Sequence, residues 1–448
     1  MHSQQRSRIF SQIQLYCNYE HSKCVSLAIP SDLRLDSFHP THESGFGIKV
    51  SASAPSAKLS SVMPHALAFA VEIATTVLAV AGMGYFMGAL VAARLFLAER
   101  RRRLPEFAPG VSVLKSLKGV DTGMMDAFRT HCNQTYSGDY ELLFGVASLD
   151  GPDASAVEEL QREFPGRAIK LVECPERLGT NGKVSTLIQV ARQARYEFLL
   201  INDSDISVGP RYLEQVMAGF AAPEVGMVTA LYRGRAHGTL ASLFEALGIS
   251  TEFQPSVLLS KLLEGGLRYG LGSTLAVRRE ALAKAGGLEG LVDQLADDYE
   301  MGARISKAGY QVRLSSAVVE TAVPAYDWRG YFDHQLRWLR TVRDARPGGY
   351  VGLIFTHGFA WALINVIASG LSPLSLWLLA LSLFLRLGLA MTVGAELLND
   401  HQVLGSLWLL PLRDLLAIGL WAAGFAGNTI VWRGERFQVK GGKLEKAG

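Results

Sequence analysis

Asp203 and Asp205 are separated by Ser204, and they follow Asn202 and the apolar run Phe198, Leu199, Leu200, Ile201. Such a run has the length and composition of a buried strand. Two acids at the C-terminal end of a buried strand stand where an open α/β sheet places its ligands. So close together they repel each other and are costly to desolvate. A divalent cation, Mg2+ or Mn2+, relieves both effects and would also take the oxygens of a diphosphate. A surface turn or a helix N-cap uses the same residue types, so this pair leaves both readings open.

Two further groups could do chemistry. Asp297 and Asp298, in LADDYEM, stand at the start of a predicted helix over 299–308 that Gly309 ends. Adjacent acids there are either stabilising charges or a proton acceptor in a cleft. Residues 327–343 read DWRGYFDHQLRWLRTVR. Trp328, Tyr331 or Phe332, Leu336 and Leu339 fall near one helical face, with Arg337, Arg340 and Arg343 elsewhere. This suits an amphipathic helix at a membrane surface, whether purely structural or functional. In the functional reading Arg337 meets a diphosphate and Trp338 stacks on a sugar or lipid head group.

The elements that must position these residues are α/β in type. Predicted strands cover 111–117, 140–147, 168–172, 198–201, 225–231 and 273–278. Predicted helices cover 155–163, 183–194, 210–220 and 280–285. This alternation implies a mostly parallel sheet with helices on both faces. The segment 265–287 is rich in glycine, which either admits a ligand close to the backbone or makes a plain loop.

Apolar stretches flank this region. Residues 63–98 form a predicted transmembrane helix, followed by Arg100, Arg101, Arg102 and Arg103, which place the next residues in the cytoplasm. Residues 1–62 are polar, lack periodicity and read as a disordered extension, with Met63 an alternative start. After the catalytic candidate, 99–346, with its interfacial helix over 327–346, residues 347–430 carry three stretches long enough to cross a bilayer: 350–370, 374–395 and 403–427. They contain His357, Asn365, Arg386, Arg413 and Asp414, and intramembrane polar residues face a bundle interior or a cavity. Three crossings would place the basic tail, 431–448, outside, against the charge rule, unless one segment is re-entrant.

In the 448 residues, 49% are hydrophobic and the formal net charge is +3, which suggests no nucleic-acid partner. Mean hydropathy is +0.18, high for a purely soluble protein. Cys17, Cys24, Cys132 and Cys174 have no zinc-ligand spacing and fit a reducing compartment.

Asp-Ser-Asp after a strand, ADDYEMG, and HQLRW before apolar spans, in that order, resemble a family 2-like or family 21 glycosyltransferase. The likeness is to ceramide glucosyltransferase and its bacterial relatives in hopanoid glycosylation. VLKSLKGVD (113–121), GTNGKVSTL (179–187) and VTALYRG (228–234) extend it. The resemblance implies a GT-A fold with N- and C-terminal transmembrane helices, a UDP-sugar donor and a membrane lipid acceptor. It also implies a bacterial inner-membrane location with the catalytic domain cytoplasmic. By position, Asp203 and Asp205 match the metal-binding DxD, and Asp298 matches the general base. Arg337 and Trp338 match the Arg-Trp of QxxRW, where His334 replaces the Gln and Gln335 follows. Asp121 and Lys183 lie in matching nucleotide-pocket motifs, and Asp150 and Asp153 are candidates for the contact near the uracil. The implied reaction moves one sugar with inversion, UDP-N-acetylglucosamine to a hopanoid polyol or UDP-glucose to ceramide. A processive polysaccharide synthase and a non-catalytic membrane scaffold are the rival readings.

Overall fold

The computed structural model describes residues 56–432 and 435–446. The expected extension therefore lies largely outside the described residues, and its last part, from Ser56, belongs to the first helix, Ser56–Arg100.

The centre is one eight-stranded sheet: β1 (Val111–Ser116), β2 (Tyr140–Val146), β3 (Ile169–Glu173), β4 (Phe198–Ile201), β5 (Ile206–Ser207), β6 (Val225–Ala236), β7 (Leu275–Arg278) and β8 (Gln311–Val323). Their order is β3-β2-β1-β4-β7-β6-β8-β5. The first four strands are parallel, as expected. β7 is antiparallel to both β4 and β6, β6 and β8 run parallel, and β5 is antiparallel to β8, so the sheet is mixed rather than mostly parallel. Strand signals in a sequence carry length and burial but no direction.

The continuous apolar run in β4 is explained by burial on both faces. Phe198 and Leu200 pack with Val113, Phe144 and Phe220 on one side. Leu199 and Ile201 pack on the other with Leu143 and Leu275, in a cluster that also takes Phe86, Ala89 and Phe96 from the first helix. The sheet is thus seated directly on a candidate membrane span.

Among the described residues two helices are long and apolar enough to cross a membrane, Leu67–Arg100 and Pro373–Leu397, and the pair Pro347–Thr356 and Gly358–Ala368, bent by 57°, makes a third if it counts as one span. Gly82 and Gly358 touch without side chains, since a Cβ on Gly82 would meet Gly358 Cα at 2.2 Å. Asn365 Nδ2 donates to Glu72 O, Thr75 Oγ1 and Thr76 Oγ1 at 2.8–3.0 Å, joining the same two segments. The expected span over 403–427 is not continuous. It is broken into His401–Gly405, a 3-10 turn and Leu410–Ala423, whose 14 residues reach about 21 Å against the about 30 Å of a bilayer core. The tail then forms a three-stranded antiparallel sheet, Thr429–Trp432, Glu435–Lys440 and Lys443–Lys446.

Candidate active site

The turn after β4 is held from below. Asn202 Nδ2 donates to Tyr212 Oη at 2.9 Å and to the Ser273 carbonyl at 2.6 Å. Lys115, buried at the end of β1, donates from Nζ to the Asp203 carbonyl at 2.9 Å. Burial pushes the Lys115 ammonium down to about 7 against the pull of Asp205 and Asp203. With its backbone clamped, the turn presents its side chains upward. Ser204 Oγ donates to Asp121 Oδ2 and Thr321 Oγ1 to Asp205 Oδ2, each at 2.5 Å. Burial and then the neighbouring Asp203 push Asp205 up to about 6. Asp203 is the open member, with 43% of its side chain exposed.

Lys183 lies in the first turn of the helix Gly182–Ala191, which Asn181 caps by accepting from Val184 N. Its Nζ is 2.7 Å from Asp203 Oδ1 and 3.8 Å from Asp297 Oδ2. Burial opposes its charge, but Asp203 and Asp297 outweigh that and hold the ammonium above its ordinary range. The helix carrying the second acids is Asp297–Lys307, starting two residues earlier than the sequence suggests. Asp298 accepts from Tyr299 N at 2.8 Å and is pushed up to about 6, first by burial and then by Asp297. Asp297 is raised by burial, with Lys183 opposing, and its Oδ2 makes no hydrogen bond.

Two glycines of 265–287, Gly270 and Gly272, lie against this helix. A Cβ on Gly272 would lie 2.9 Å from Asp298 Oδ2, and one on Gly302 would lie 2.4 Å from Gly270 N. The loop before the helix is braced as well. Thr180 N and Oγ1 donate to Asp293 Oδ1 at 2.9 Å, and Asn181 Nδ2 donates to the Gln294 carbonyl at 2.9 Å. From the far side the tail sheet adds Leu295 N to Gly442 O and Leu444 N to Asp293 O, both 3.0 Å. Leu295 packs with Ile430, Phe437, Val439 and Leu444.

The aromatic-basic helix is Trp328–Ala345, capped by Asp327. His334 Nδ1 lies 2.9 Å from Glu245 Oε2, with Gln335 Nε2 at 3.4 Å from the same oxygen. The His334 ring packs between Tyr326 and Trp338, at centroid distances of 5.5 and 5.1 Å. His334 and Gln335 therefore meet a buried carboxylate. Arg337 acts electrostatically on Tyr326, as do Glu245, Asp205 and Asp121, which sets the helix beside the Asp-Ser-Asp turn. Arg340 and Arg343 donate to carbonyls at Thr429, Ala426, Gly424 and Gly427.

Of the predicted nucleotide residues, Asp121 and Lys183 join the acids. Asp153 is turned to other use, accepting from Gly119 N and Ala154 N at 3.1 and 3.2 Å, and so holds the loop that carries Asp121. Asp150 is exposed and makes only a backbone contact with Ser148. Glu245 lies outside the sequence reading, and Lys115, Asn181 and Tyr232 lie in the motifs quoted above without being singled out by them. Glu245 and Lys115 had a signal, each being a lone charge in an apolar element.

A parallel half-sheet ending in clustered acids, joined to a mixed half, is the GT-A architecture, that of a nucleotide-sugar hexosyltransferase. The chain belongs to glycosyl transferase family 21, whose profile matches residues 74–445. Its relatives include ceramide glucosyltransferase 3 and ceramide glucosyltransferase 1 of Caenorhabditis elegans, each 23% identical over 75% of this chain and 73% of theirs. Among solved structures it is similar to a mannosyltransferase from Pyrobaculum calidifontis in complex with GDP-Man and Mn2+. That protein is 20% identical, with a TM-score of 0.48, over 79% of this chain and 97% of that one. Family and spans together make this a membrane protein.

Proposed function

We propose that the chain moves one sugar from a UDP-sugar to a hydroxyl of a membrane lipid in a single inverting displacement. The donor and acceptor pair is UDP-N-acetylglucosamine with a hopanoid polyol, or UDP-glucose with ceramide. One observation carries the reading: Lys183 joins Asp203 to Asp297, the neighbour of the proton acceptor Asp298, so the diphosphate locus and the second acid pair share one cation.

The donor set fits Mg2+ or Mn2+. Asp203 and Asp205 offer hard oxygen ligands, and the charge of Asp203 raises Asp205, a strain that a cation relieves. Among the described residues no three His, Cys, Asp or Glu side chains converge on a metal position, so the remaining ligands would come from the diphosphate. Bound there, the ion would supply positive charge against the departing diphosphate.

The chain's own residues do the rest. Lys183 and Arg337 add fixed positive charge beside the diphosphate. Asp298, ionised above its raised pKa, takes the proton of the acceptor hydroxyl as that oxygen bonds to the anomeric carbon. The bond from that carbon to the diphosphate breaks, and UDP leaves with the electron pair. Asp121 and the loop behind it line the nucleotide end.

The arginines after the first span favour a cytoplasmic catalytic domain at a bacterial inner membrane. The tail is hydrogen-bonded to Asp293 and Leu295, so it shares that side. Two crossings after residue 346, with Leu410–Ala423 lying re-entrant, meet this requirement.

The test is mass spectrometry of lipids from a host that expresses the chain and is supplied with ceramide or a hopanoid polyol. One hexose or N-acetylhexosamine on either lipid is the expected product. A polymer would point to a processive synthase, and unmodified lipids would remove the reading.

A further inference from the structure

A buried polar cluster lies between the spans and the catalytic domain, away from the acids. Arg386, on the span Pro373–Leu397, donates from Nε and Nη2 to Asp414 at 2.7 and 2.8 Å, and Nη2 also reaches Thr251 Oγ1 at 3.2 Å. Arg413 pairs with Glu252. Ser250 Oγ donates to Asp400 at 2.7 Å. The two arginines are balanced by Asp414 and Glu252, so the core of the cluster makes no demand for an ion.

Its hydrogen-bonding capacity is not balanced. Tyr85 Oη, both amide atoms of Gln254, His357 Nε2, Ser382 Oγ and Arg386 Nη1 are buried without a partner. Gln254, Ser382 and Arg386 are between 0% and 3% exposed. These atoms belong together. Ser382 and Arg386 lie one turn apart on one helix face. Gln254 shares a face with Ser250 and Thr251. The charges of Glu252, Arg386 and Asp414 act on both Tyr85 and His357. Buried polar groups are paired in native structures, so this many unpaired ones call for an occupant. They include donors and acceptors together, which matches hydroxyl or amide groups and not an anion or a hydrocarbon.

The backbone is irregular around the same place. The chain is π-helical over Ile249–Phe253 and Ala390–Leu397. The bent pair breaks at His357. Irregular backbone at membrane depth is tolerated where it lines a cavity, and π-turns gather at functional sites. Phe253 leads from the cluster to the acids, packing on Tyr232 and Trp338 at 5.8 and 6.4 Å, and Tyr232 feels the charges of Asp298 and Asp203.

We propose that this cluster binds the uncharged polar head of the lipid acceptor, holding hydroxyl or amide groups behind the hydroxyl that reacts. The proposal rests on the lipid-transfer reading above. Its test uses the full chain in lipid nanodiscs with ceramide or a hopanoid polyol as acceptor, comparing Gln254→Leu and Ser382→Ala with wild type. The expected result is an acceptor KM raised about fivefold or more, as loss of one hydrogen bond gives, with the donor KM unchanged. An acceptor KM unchanged in both variants would overturn it and leave a cluster filled by water. If Gln254→Leu does not fold, the milder Ser382→Ala decides. If wild type transfers sugar to neither lipid, the function reading fails on its own. The cluster is then tested by mass spectrometry of ceramide or hopanoid polyol retained on the purified chain. Retention by wild type and loss in the variants supports the site, and equal retention overturns it.

Discussion

Lys183 Nζ lies 2.7 Å from Asp203 Oδ1, and this ion pair joins two halves of the site that are 94 residues apart, counting from Asp203 to Asp297. The same ammonium faces Asp297 at 3.8 Å. Removing it leaves the buried Asp297 uncompensated and takes a cation from the diphosphate. Lys183→Met is expected to lower kcat/KM for the donor by about tenfold to a hundredfold, the scale of a charged hydrogen bond. Steady-state kinetics with varied donor checks this.

Among the described residues the Asp298 carboxylate accepts one hydrogen bond, from Tyr299 N of its own helix, which leaves it able to take a proton from an acceptor. Asp298→Asn is expected to lower kcat by about 10²–10⁴-fold while the Kd for UDP stays near wild type. Calorimetric titration with UDP separates the two effects, and wild-type turnover in this variant would remove Asp298 from the base role. Excess EDTA is expected to abolish turnover in wild type, with Mn2+ or Mg2+ restoring it.

Burial and Asp297 raise Asp298 to about 6. Below that pH the acid is protonated and cannot act as a base, so kcat is expected to rise between pH 5 and pH 7 with a limb near 6. The stability effect runs the other way. A carboxyl raised on folding favours the folded state below the ordinary carboxylate pKa of about 4, and that contribution is lost as pH rises through about 6. Asp298→Asn is therefore expected to raise Tm at pH 7.5 more than at pH 4.5, which thermal melts at the two pH values would show.

Glu245 is 4% exposed and meets His334 Nδ1 at 2.9 Å. Emptying the partner position strands a buried carboxylate, whereas an amide can still donate to it. His334→Ala is expected to cost about 1–3 kcal/mol of stability, and His334→Gln less than half of that. Denaturant unfolding of both variants measures the difference, and equal losses would show that the contact carries no weight.

The tail sheet braces the loop that enters the Asp297–Lys307 helix. Deleting residues 429–448 is expected to lower kcat by about tenfold to a hundredfold, the scale of a small misplacement of a catalytic group. Donor KM should change little, and a peptide of residues 429–446 added in trans should restore turnover. Full activity in the truncated chain would reduce the tail to a bystander.

Much of this site was legible before any coordinates. Phe198–Ile201 read as a buried strand because both of its faces are apolar, and Asp203, Asp205 and Asp298 stood out as acids at element ends. At Gly270 and Gly272 the glycines signal close approach without naming what approaches, and the structure sets Asp298 there. Asp153 is one of two candidates for the contact near the uracil, and its carboxylate accepts from the amides of Gly119 and Ala154. The segment 403–427 met the length of a span, yet the buried pairing of Arg413 and Asp414 with Glu252 and Arg386 belongs to a shorter, inward-facing helix.

Residue order alone determined the family, the strand–acid–acid pattern and the membrane character, because these depend on local composition and spacing. Only the tertiary structure decided strand direction, the bridge from Lys183 to Asp203 and Asp297, the turn of His334 toward Glu245 and the return of the tail to Leu295. Each is a contact between segments distant in the chain, set by which buried charge or backbone group must find a partner, and spacing along the sequence does not encode that choice.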